Sequence, residues 1–320
     1  MSDDTRTPLE AQISRHLHAP ENPIQLFAWH GTTHDISRLS LAHASHESHF
    51  GQALYFTTHR LDAALNYAHP EGLDLQRKVE DLAARIEEDL EDDPAWEDTP
   101  STDRAREAEM RARAQIVGPV RHLHRVHLTL HRPFLSGTRY DPPLLPEIED
   151  AHAAAIAEVA GHHGLDPTRP DAVEESHEED VQEACDIRIR DAVDRIETAY
   201  ATACAELDCI GAPDLISSLP GGVFDLTHRS FERLFREDPF VFVDTADGHL
   251  VNASLMSRTL ARLGFDSIIL GDARGTFHGM TIPEGTAHIH ILPDATPCMR
   301  PLSREALPPI GPGPDLDEAA

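Results

Sequence analysis

The chain has 320 residues, enough for one large domain or two ordinary ones, and a hydrophobic fraction of 40% supplies a sizeable core. Its 56 Asp+Glu outnumber 27 Lys+Arg, and the resulting charge of −29 repels polyanions and argues against general nucleic-acid binding. No run approaches the roughly 20 apolar residues that cross a bilayer. The opening MSDDTRTPLEAQ lacks the basic-then-apolar pattern of a secretion signal, so the expectation is a cytoplasmic protein, or an effector delivered by a route that needs no such signal.

In chain order, PLEAQISRHL (8–17) reads as a leading helix and the apolar run 24–29 as a buried strand. A polar His/Ser segment over 42–49 precedes a second strand at 53–57. HRLDAALNYA then predicts a helix, with Leu61, Ala64, Leu65 and Ala68 at i, i+3, i+4 and i+7. Residues 73–117 read as a helical hairpin broken at DDPAWEDTPSTD. Val126, Leu128 and Leu130 alternate with polar residues in a half-buried strand that ends at Pro133. Residues 144–210 are mostly helical, broken near GHHGLDPTRPD, and a further helix covers about 227–237. PFVFVD (239–244), FDSIIL (265–270) and AHIHIL (287–292) are strand-like, and SLMSRTLARLG is a helix ended by Gly264. The tail over 300–320 carries five prolines and is expected to be flexible.

Strands at both ends with helices between them predict one α+β domain. Its core covers about 20–70, 119–135 and 239–296, with helical insertions at about 71–118 and 144–237. The cysteines at 185, 204, 209 and 298 form no Cys-x-x-Cys pair and read as reduced thiols. No Gly-x-Gly-x-x-Gly or Walker loop exists; the glycine-rich stretch over 271–279 has the wrong spacing. Among 22 histidines, chance clusters such as His43/His46/His49 and His122/His124/His127/His131 are expected, and no metal site is assigned.

The chemistry-bearing residues are His30-Gly31-Thr32 at the end of the first strand, Gly51-Gln52-Ala53-Leu54-Tyr55-Phe56-Thr57, and Tyr67, 12 residues after Tyr55. In these blocks the chain resembles the ADP-ribosyltransferases of the diphtheria-toxin and poly(ADP-ribose) polymerase branch, and most of all the domains of that kind in polyvalent phage and plasmid proteins. That branch has His-Gly-Ser/Thr, then Gly-x-Gly-hydrophobic-Tyr-Phe, then a helix carrying a second Tyr. Here Ala53 replaces the second Gly. VHLTLHRPF, LGFDSIIL and EGTAHIHILPD resemble later strands of the family, so the likeness touches residues 26–68, 125–134 and 258–294.

The resemblance implies a split β-sheet core, NAD as substrate, and mono-ADP-ribosyl transfer to a macromolecular acceptor. The acidic surface makes a protein the expected acceptor, and this type of relative implies a toxin or effector, with a neutralising partner in some cases. Tyr55 and Tyr67 would stack the cationic nicotinamide. Gly31 would let it approach without a Cβ in the way. His30 and Thr32 would bond the ribose. A carboxylate would stabilise the oxocarbenium-like transition state. The family's glutamate falls here at His288; Glu284, four residues earlier, is the other candidate for the catalytic position. That departure keeps open a non-catalytic NAD- or ligand-binding module acting through protein contacts. A related RNA 2′-phosphotransferase ranks last, because no arginine stands in the His30 or Tyr55 motifs.

Overall fold

A computed structural model describes residues 8–41, 50–215, 226–236, 243–246, 248, 250–271, 276–277, 280–281, 285–293 and 299–308. The elements run α1 (Leu9–His18), β1 (Ile24–Thr32), β2 (Leu54–Thr57), α2 (Arg60–Asp62), α3 (Leu73–Glu91), α4 (Ser101–Ile116), β3 (His122–Leu130) and β4 (Pro133–Ser136). There follow α5 (Pro146–His163), α6 (Pro170–Glu206), β5 (Cys209–Ile210), α7 (His228–Arg236), β6 (Asp244–Thr245), α8 (Asn252–Arg262) and β7 (Ser267–Leu270). The last are β8 (Thr276–Phe277), β9 (Met280–Thr281), β10 (His288–Ile291) and β11 (Met299–Ala306).

Seven strands form one mixed sheet in the order β11-β3-β1-β2-β10-β7-β4, antiparallel except at β4–β7. The molecule is therefore α+β. The strand order is uninterrupted, but the β1–β2 junction is thin: one residue pair, Trp29↔Thr57, joins them. By contrast β1 pairs with β3 along its whole length, from Ile24↔Leu130 to Thr32↔His122. That pairing carries β1 three residues past its apolar run and holds the His-Gly-Thr triplet in extended backbone.

The alternation read at 126–130 is real burial: Val126, Leu128 and Leu130 are fully enclosed. They join Ile13 of α1, Ile24, Leu26 and Ile289 in one core. A second core gathers Phe134, Ile196, Tyr200, Phe231, Leu255 and Ile268 from α6, α7, α8 and their strands. His228, at the start of α7, lies inside this second core. Its ring stacks on Phe134 at 4.4 Å and 14°, and Nδ1 accepts the Leu135 N–H at 2.9 Å. Burial, helped by the Arg132 charge, drives its pKa down to about 3.

Two expectations change. The tail is not loose from residue 300: β11 occupies Met299–Ala306 at the sheet edge, paired with β3, with a register shift between Pro301 and Ser303. Proline lacks a backbone donor, and an edge strand with a bulge is where that lack costs least. Composition alone suggested disorder; position in the sheet reverses it. The helix read over 59–68 is α-helical only over Arg60–Asp62, and Ala63–Tyr67 is a wider π-helical turn. Most of the strand read at 239–244 lies outside the described residues, as do His43, His46 and His49, most of the 271–279 glycine segment, and residues 309–320.

Candidate functional site

A cavity of about 470 Å³ lies between the C-terminal end of β1 and the start of β2, past their single pair. His30, Gly31 and Thr32 line it from β1, Tyr55 from β2, and Tyr67 from the π-helical turn. Five residues spread over 38 positions thus share one concave surface whose size suits a small ligand. The insertion at 71–118 supplies another wall, with Asp74, Leu75 and Lys78 from α3 and Ile116 from α4.

Gly31 is where the helix crosses the strand. A Cβ there would stand 2.1 Å from the Ala63 carbonyl oxygen and 2.9 Å from the Tyr67 Cβ. The turn above it is widened, with the Ala68 N–H reaching back five residues to that same carbonyl at 3.1 Å. Gly31 therefore seats Tyr67 at the cavity as well as lining it. Gly31→Ala is expected to lower stability by about 2–3 kcal/mol through overpacking. A urea midpoint that does not move would contradict this packing.

His30 donates through Nδ1 to the Tyr55 carbonyl at 2.7 Å, bridging the strands where their backbone ladder stops. That bond fixes the tautomer and leaves Nε2 as an acceptor. Burial lowers the pKa of His30, against the smaller opposing effect of the Tyr55 carbonyl. The Thr32 Oγ1 accepts the His34 N–H at 3.1 Å in a local turn, and its hydroxyl hydrogen remains available to donate. The Tyr55 hydroxyl accepts the Phe50 N–H at 2.9 Å and donates to the Gly51 carbonyl at 3.1 Å, which holds its ring rigidly.

Behind the two phenols stand two imidazoles of β10. The ring of His290 meets Tyr55 edge-on at 4.3 Å, and that of His288 meets Tyr67 at 5.9 Å. His288 does not line the cavity. Its Nε2 faces the buried Asp62 Oδ2 at 2.9 Å, and Asn66 donates to the other carboxylate oxygen. Burial works to raise the Asp62 pKa, but the hydrogen bond and charge of His288, with bonds from Thr57 and Asn66, hold it below the ordinary value. Position 288 is thus an imidazole backed by an ionised carboxylate. Burial, then the neighbouring Asp74 and Asp62 charges, push the Tyr67 phenol well above its usual range. Glu284 lies outside the described residues.

Sequence reading missed Asp62, His290, Asp74 and Lys78. Lys78 carried a signal: it is the single lysine in a chain with 26 arginines. It lines the cavity, half-buried, and pairs with Asp74 at 2.7 Å. Counting Lys and Arg together hid it. No protein-family model, no curated protein and no solved structure matches the chain.

Proposed function

We propose that the chain transfers single ADP-ribose groups from NAD to a protein acceptor. The observation that carries this reading is the convergence of His30, Gly31, Tyr55 and Tyr67 on one cavity. Nicotinamide would bind against the two phenols, with cation–π attraction worth about 0.5–2 kcal/mol per ring. The His30 Nε2 would accept a ribose hydroxyl and Thr32 would donate to the same sugar. The Lys78 ammonium would meet the pyrophosphate as a point charge. In the reaction the nicotinamide–ribose C–N bond breaks, nicotinamide leaves with the electron pair, and an acceptor nucleophile adds to the sugar carbon and loses its proton. Glu284 would offer a carboxylate to the developing positive charge, or His288, held by Asp62, would act on the sugar past the Tyr67 ring that it meets.

One observation favours the second reading, a ligand-binding module without turnover. Asp74 is the sole carboxylate among the described residues lining the cavity, and Lys78 already neutralises it. Incubation with NAD separates the two. Transfer supports the first reading through nicotinamide release and labelling of a lysate protein by a tagged NAD analogue. NAD binding, seen as a raised melting temperature, with no nicotinamide release supports the second. Neither response overturns both.

A further inference from the structure

The α5–α6 hairpin has its own small core. Val173, Val181, Cys185 and Ile189 of α6 pack against Ala155, Ile156, Val159 and Ala160 of α5. Two histidines interrupt this seam at the end of the hairpin. His177 stands midway between Val173 and Val181, on the spacing of four that the apolar residues keep. His163, the last residue of α5, stands three positions beyond the buried Ala160, where the seam opens to solvent. Their rings stack at 3.7 Å and 17°. Asp180 closes the triangle, its Oδ2 3.0 Å from the His163 Nε2 and 3.4 Å from the His177 Nδ1.

The backbone gives way to make this arrangement. His177 has φ −144° and ψ 45° inside an otherwise helical segment, so α6 is kinked at the residue that reaches His163. The Ser176 hydroxyl donates to the Ala172 carbonyl at the break, the kind of back-bonding that bends helices. A tetrahedral ion with bonds of about 2.0–2.1 Å to imidazole and carboxylate needs ligand atoms about 3.3 Å apart. The three atoms here all lie within 4.8 Å of one another, so a turn of the two stacked rings would bring their lone pairs onto one ion beside Asp180.

We propose that His163, His177 and Asp180 bind a zinc-class divalent cation that clips the two helices together beside the turn that joins them. Two imidazoles and one carboxylate are the ligand set that suits zinc and its neighbours rather than calcium or magnesium. Three protein ligands leave a fourth position for water. The surrounding Glu174, Glu178, Glu179 and Glu183 add a field that draws cations. The sequence hid the site because its members come from two helices 14 residues apart and match no short spacing motif.

The test is calorimetric titration of chelator-stripped, full-length protein with Zn²⁺, repeated with Co²⁺ to read the visible absorption of a four-coordinate ion. The other histidines stay in place as internal background. One site per chain is expected, and the double variant His163→Gln/His177→Gln should weaken it by about 100-fold or more, abolishing the cobalt band. Asp180→Asn, on a half-exposed side chain, gives a second and milder variant that keeps the hairpin's apolar contacts. It should weaken binding without changing helical content measured free of metal. Equal zinc binding by the native chain and both variants, or no binding by the native chain, overturns the proposal.

Discussion

Lowering the pH from 7 to 4.5 is expected to remove about 2–3 kcal/mol of folding stability through His228 alone, rising to on the order of 4–5 kcal/mol near pH 3. The folded pKa of this histidine is depressed from 6.5 to about 3. The unfolded chain therefore takes up the proton first as pH falls. Stability is complete above about 6.5 and is lost progressively down to about 3. The structural reason is specific. Nδ1 is used as an acceptor from the Leu135 N–H, so a proton there would set two donors against each other inside an apolar core. His30 and His124, paired across β1 and β3, are also depressed, chiefly by burial, and act in the same direction. A comparison with His228→Asn isolates the effect, because Asn keeps an acceptor at the same place but does not titrate. Urea midpoints at pH 7.5 and 4.5 should show the gap between native and variant closing by about 2–3 kcal/mol. Parallel pH profiles would mean that His228 is already protonated or exposed at neutral pH.

The second large effect concerns Tyr67. Under the proposed transfer reaction, Tyr67→Ala should slow nicotinamide release about 100-fold, while Tyr67→Phe should stay within a few-fold of the native rate. The ring, not the hydroxyl, is what would contact the ligand. Stability must be followed in parallel, since truncation also removes the edge contact with His288, while the Cβ packed over Gly31 remains. The phenylalanine variant keeps both contacts. If the alanine variant retains full turnover while remaining folded, the phenol is not part of the ligand site. If both variants lose activity alike, the hydroxyl has a chemical role that stacking does not explain.

The strands and the site were legible in the sequence to different depths. Periodicity located the stretches that became β1, β3, β7 and β10, because a half-buried strand must alternate and a fully buried one must be apolar. The triplet at 30–32, Tyr55 and Tyr67 could be tied together through their resemblance to a known pattern, and the fold brings them to one cavity. The partnership of His288 with Asp62 was not legible. It depends on β10 pairing with β2 and on α2 lying over that pair, two facts that no local window contains. The π-helical turn was hidden for a related reason. Its residues fit an ordinary helix, and the widening goes with the contact between the Ala63 carbonyl and Gly31, a partner 32 residues away. β11 was misread because proline content reports the unpaired chain, whereas an edge strand tolerates a missing donor.

The isolation of Lys78 has a practical consequence. With one side-chain amine among these 320 residues, an acylating or reductively methylating reagent has a single lysine to modify, and it lies in this cleft. Mass spectrometry of the peptide that holds it can read the adduct directly. Any molecule that settles beside His30 and Tyr67 will shield it, so candidate ligands can be ranked by protection from labelling, with no need for turnover, a chromophore or an engineered tag.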